Sequence, residues 1–145
     1  MAQATTIKGG KFRVLLDINR SGTYSAPCGF NSKSMTLTKG LEEFQLPVCE
    51  DPDAMTWIGR DAISLSMSIS GEGVAAEQSI ETWLDAIEDP ESIPAKVEAE
   101  YPTKTITWTG LLHVSTFTAG HPTPRGRVTA TVEMASDGEM VRTVA

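Results

Sequence analysis

The sequence predicts a mainly β fold, an antiparallel β-sandwich or barrel with one flanking α-helix, built as a single domain. Apolar and polar residues alternate along several separate stretches, one stretch alone has helical spacing, and 145 residues suit one ordinary domain.

The first ten residues, Met1 to Gly10, are polar and small; they are expected to form a flexible N-terminal arm and lack the apolar segment of a signal peptide. Phe12, Val14, Leu16 and Ile18 then share one strand face, with Lys11, Arg13, Asp17 and Asn19 opposite. Met35 and Leu37 alternate with Ser34, Thr36 and Thr38. The clearest alternation sets Ile63, Leu65, Met67 and Ile69 against Ser64, Ser66, Ser68 and Ser70. Thr103, Thr105, Thr107 and Thr109 oppose Ile106 and Trp108, until Gly110-Leu111-Leu112 interrupts as a bulge or bend would. The stretch His121-Pro122-Thr123-Pro124-Arg125-Gly126 reads as a true connection, since proline cannot donate to a ladder. Val128, Ala130, Val132 and Met134 define the last clear strand. Alternation of this kind marks antiparallel strands with one buried and one wet face.

Ala76, Ile80, Trp83, Leu84 and Ile87 recur at spacings of three and four and predict the helix, which Gly71-Glu72-Gly73 leads into and Asp89-Pro90 ends. Its outer face carries Glu77, Glu81, Asp85 and Glu88, which suits either a solvated face or a contact for a neighbour's basic patch. Residues 40–59 show no clean period and are expected to form a long loop, whose apolar residues need burial against this domain or a partner. Residues 136–145 are expected to form a terminal hairpin closed by Asp137-Gly138, or a loose arm.

The formal net charge is -7, which disfavours a nucleic-acid reader with a basic stripe. No apolar run approaches the roughly 18 residues that cross a bilayer. Synthesis in a cytosol is the expectation, with Cys28 and Cys49 as reduced thiols. No catalytic group, cofactor site or metal site is expected. His113 and His121 lack ligand spacing, Glu50-Asp51-Pro52-Asp53 reads as an exposed acidic turn in preference to a calcium-binding loop, and the serines repeat as a surface. Such a hydroxyl face suits either the solvated side of a sandwich or a smooth wall with no grip on a polyanion.

The order of parts resembles a known family. Phe30-Asn31-Ser32-Lys33-Ser34-Met35-Thr36-Leu37 is similar to the early strand of tail tube proteins of long non-contractile tails, including gene transfer agents. So is the acidic proline loop from Leu46 to Trp57, as is Ile63 to Val74 followed by a helix bearing Trp83. The resemblance covers roughly residues 10 to 135.

It implies a structural protein of the virion tail, made in the bacterial host cytoplasm and not an enzyme. Hexameric rings would join their sheets into one lumen-lining barrel and stack into a tube that DNA traverses without specific binding. Tape-measure and tail-end proteins would be further partners. Phe44, Leu46, Val48, Trp57 and Ile58 would then make inter-ring contacts, Ser64, Ser66, Ser68 and Ser70 would line the lumen, and Arg125 and Arg127 would pair with a neighbour's acids. The rival from another class is a monomeric immunoglobulin-like or carbohydrate-binding sandwich; Trp57, Trp83 and Trp108, in a loop, a helix stripe and an apolar strand face, suit a sugar binder poorly. A secretion-apparatus tube is a nearer rival, and a small β-barrel enzyme a remote one.

Overall fold

A computed structural model describes residues 3–26, 30–121 and 124–145; Cys28 and part of the 121–126 connection lie outside them. A short 3-10 turn, Gly9–Lys11, leads into β1 (Phe12–Leu16). The chain continues through β2 (Phe30–Leu46), β3 (Trp57–Val74), α1 (Glu77–Glu88), β4 (Ile93–Glu100), β5 (Thr105–Gly120), β6 (Thr129–Ser136) and β7 (Val141–Val144). All pairings are antiparallel, in one sheet ordered β1-β4-β5-β6-β3-β2, with β7 on β5.

The sheet folds over on itself. Val14 and Leu16 of β1, and Ile93, Ala95 and Val97 of β4, share one buried cluster with Met67, Ile69, Val132 and Met134 from the other end of the strand order. Lys33 on β2 donates to the Phe12 carbonyl at 3.1 Å, so the two terminal strands meet across the core. α1 closes the open corner. Trp83, 4% exposed, meets the Phe30 ring edge-on at a centroid distance of 5.3 Å. Buried Ser79 and Ala86, both small, lie on the packed side, while Leu84 of the expected stripe is 40% exposed.

Three expected segments are corrected. Gly71-Glu72-Gly73 belongs to β3 and does not lead into the helix. Residues 40–59 are mostly ladder: β2 pairs β3 from Phe30↔Gly73 out to Leu46↔Trp57, leaving 47–56 as the loop at the tip of a two-stranded ribbon. Asp137-Gly138 closes no hairpin. β6 and β7 run along the same side of β5, and 137–140 is an outward excursion between them. Gly138 makes it possible at φ 88, a region that suits glycine.

Asp17, expected on the wet face of its strand, is buried. Its carboxylate accepts from the Ser21 N–H (3.0 Å) and the Gly22 N–H (2.7 Å), which satisfies it locally. Beside it Arg20 donates to Asp89 (3.0 Å) and to the Ser92 carbonyl (3.0 Å), tying the segment after β1 to the end of α1. The Glu91 N–H and then Arg20 hold the Asp89 carboxyl below its ordinary 3.8. A depressed folded pKa means stabilisation that is present above the unfolded value and lost as pH falls through the folded one. The stability difference between wild type and Asp89→Asn, measured by urea unfolding, is therefore expected to hold at neutral pH and vanish below the usual carboxylate range.

Candidate assembly surfaces

Four strand segments, β2, β3, β6 and the second half of β5, form a sheet whose inner face is the core and whose outer face is polar. Directly opposed residues share a face, so Ser34↔Ser70, Thr36↔Ser68 and Thr38↔Ser66 form a hydroxyl band, which Ser70↔Glu133 and Glu133↔Thr116 carry across the sheet. Ser64, Ser66 and Ser68 are exposed and Ser70 half-buried, with the Ser34 and Ser70 hydroxyls 2.6 Å apart. All four serines thus point away from the subunit core. Glu133 and Glu72 stand on this face as well, in register with Ser70 and Thr131.

Both edges of this sheet are open. Among the described residues β2 has no strand beyond it, and β4 covers β5 only as far as Leu112. Hydrogen bonds fix which backbone groups face outward. The Met67 N–H donates to Ser136 Oγ (3.0 Å) and the Ala75 N–H to the Val128 carbonyl (2.9 Å), so odd residues of β3 address β6 and even ones address β2. Thr36 opposite Ser68 then bonds to β3, and Met35 and Leu37 direct their backbone groups to the open side. On β5 the Asp137 N–H donates to the Leu111 carbonyl (2.8 Å), and the register shifts between Val114 and Thr116. Thr116 and Thr118 therefore bond to β6, while Phe117 and Ala119 turn outward. α1 packs against β5 without backbone hydrogen bonds to it among the described residues.

The ribbon carries apolar groups that are exposed among the described residues. Phe44, Leu46, Val48, Trp57 and Ile58 are 36–80% exposed, and Met55 is 92% exposed. The Phe44 ring lies across Gly59, where a Cβ would stand 2.6 Å from the ring. Nearer the body, Ile63 and Leu65, expected to be core, are 64% and 69% exposed because β6 does not extend that far. Arg125 and Arg127, between β5 and β6, are exposed and have no carboxylate within 4.0 Å among the described residues. Cys49, on the tip loop, is a free exposed thiol. Sequence patterning locates the serine face and the apolar tip, but misses the open edge at Phe117 and Ala119. That edge is defined only by where β4 stops.

A comparison with curated proteins returns no significant match. Among solved structures, a gene transfer agent particle tail refined with C6 symmetry superposes with a TM-score of 0.74 at 19% identity, covering 95% of this chain and 99% of that one. The SPP1 tail tube superposes at 0.64 with 11% identity, covering 95% and 79%. A chain of the sheath–tube complex of an extracellular contractile injection system, PVC, gives 0.59 at 12% identity, covering 97% and 93%. At these identities the likeness is one of fold. The phage tail tube protein family matches residues 6–142, nearly the whole length, and the chain belongs to that family.

Proposed function

We propose that six copies of this chain close into a ring through backbone pairing of the open β2 edge of one copy with the open Phe117–Ala119 edge of the next. The rings stack into the hollow tail tube through which DNA leaves the particle. The observation that carries this reading is the pair of free edges on one four-stranded sheet. β2, β3, β6 and β5 alternate in direction, so β2 and β5 run oppositely. A neighbour's β2 beside β5 therefore continues an antiparallel sheet with every copy pointing the same way, as cyclic symmetry demands. Closure also removes edges that would otherwise template aggregation. The C6 symmetry of the gene transfer agent tail supports the number six.

The lumen face is then the hydroxyl face, because the other is buried in the subunit. Short hydroxyls with Glu72 and Glu133 make a wettable wall that repels phosphate and offers passing DNA or a tape-measure protein no specific grip. Such a chain is made in the bacterial host cytoplasm and ends in the virion tail, beside tail-end proteins.

The test joins negative-stain microscopy of the purified chain to thiol labelling. In a background with Cys28 and Cys49 replaced by serine, Ser68→Cys is expected to react with a bulky polymer maleimide as a monomer. In tubes the introduced thiol should be shielded from that reagent yet open to a small one. Tubes of Ser68→Cys that react freely with the bulky reagent would place the face outside and sink the lumen assignment.

A further inference from the structure

The two ends of the long strand pair differ in charge. Between residues 40 and 62 the ribbon bears Glu42, Glu43, Glu50, Asp51, Asp53 and Asp61 against Arg60 alone, and Arg60 is already paired with Glu43 at 3.2 Å. On the tip loop Asp51 receives the Asp53 N–H (3.3 Å) and its carbonyl receives the Ala54 N–H (3.1 Å), a turn that presents the carboxylates outward. Every residue from Leu41 to Asp53 is exposed.

The opposite end carries two arginines that have no carboxylate within 4.0 Å among the described residues. β3 runs from the tip at Trp57 to Val74, which pairs Thr129, and the Ala75 N–H meets the Val128 carbonyl. The connection holding Arg125 and Arg127 therefore sits at the far end of β3, where Glu72 and Glu77 are also found. The 18 residues of β3, at ~3.3 Å each, set the two ends about 60 Å apart. A surface at one end that complements a different surface at the other is a heterologous contact. Repeated along an axis, it gives an open filament.

We propose that the ring-to-ring joint is this contact: Glu50, Asp51 and Asp53 on the ribbon tip of one copy engage Arg125 and Arg127 of a second copy in the adjacent ring. The apolar tip residues, Trp57 and Met55 foremost, are desolvated beside them. The occupant is a second copy because both halves of the complementary pair lie on this one chain, at opposite ends. The proposal rests on the ring reading above and adds which groups hold the stack. Lateral contacts are backbone hydrogen bonds and respond weakly to salt, whereas the axial joint is ionic and exposed, and salt screens it.

The test is charge exchange, read by microscopy and sedimentation. R125E/R127E is expected to form rings that do not stack, raising the concentration needed for tubes by roughly tenfold or more, as like charges meet across the joint. Adding E50K/D51K/D53K to the same chain should restore tubes, and these should not extend wild-type tube ends. Tubes from R125E/R127E at wild-type concentration, or no tubes from the five-substitution chain although it forms rings, would overturn the joint. If R125E/R127E forms no rings, R125Q/R127Q takes its place. Its stacking should have lost its response to salt, and an unchanged response overturns the proposal. Failure of the wild-type chain to form rings or tubes would instead count against the ring reading.

Discussion

Ala119→Pro is expected to abolish ring and tube formation while leaving a folded monomer. The Ala119 N–H faces the open side of β5, so proline there removes a donor that none of the described strands uses. Monomer stability should stay within about 1 kcal/mol of wild type, because the side chain is exposed and the ladder to β6 is intact. One residue earlier the outcome differs. Thr118 bonds to β6, and Thr118→Pro should cost about 1–3 kcal/mol by orphaning a ladder partner. Sedimentation velocity with urea unfolding separates the two. Rings from Ala119→Pro at wild-type concentrations would show that β5 is not the lateral edge.

Trp83→Ala should destabilise the monomer by about 3–5 kcal/mol, the range for removing a large aromatic from a packed core. The side chain is nearly fully buried where α1 meets Phe30, Ile69, Val132 and Met134, and α1 has few other large groups to hold it. Ser79 and Ala86 allow close approach but contribute little area. Trp83→Phe keeps an aromatic against Phe30 and should lose much less. Urea titration followed by far-ultraviolet circular dichroism reads both. An alanine variant within about 1 kcal/mol of wild type, by the same large-to-small expectation, would mean that the corner is closed by something other than this contact.

The parts of the fold legible in the sequence are those where one face is buried and the other wet. β1, the inner half of β3, β6 and α1 all have that asymmetry, and it places Val14, Met67, Ile69, Val132 and Trp83 in the core. The ribbon has no such asymmetry. Both its faces are exposed, so Leu41, Phe44, Leu46, Trp57 and Ile58 follow no period that points to a core. β4 alternates without fault in burial, but Ala95 and Ala99 give a weak apolar signal, and Pro94 looks like a breaker although it sits on a strand. β7 is four residues long and reaches β5 only after an excursion, so the local pattern cannot assign its partner. The hydroxyl face is legible as a face. The open edge beside it is not, because it depends on a partner strand ending early.

The register of β2 against β3 shifts by one residue between Gly40 and Leu41, where Gly40 pairs Ser64 and Leu41 pairs Ala62, and the ribbon beyond that point limits how this chain can vary in length. Past that point β2 and β3 hold each other in register without a third strand, so the pairing alone decides which side chains look which way. Losing or gaining one residue in either arm inverts everything distal to it, exchanging the sides shown by Phe44 and Glu43. Losing or gaining two in each arm preserves both sides and changes only the reach. Descendants of this gene should therefore lengthen or trim the projection by even steps in both arms together, and single-codon insertions should be tolerated in the tip loop at 47–56 or where a bulge like the one at Ile63 absorbs them.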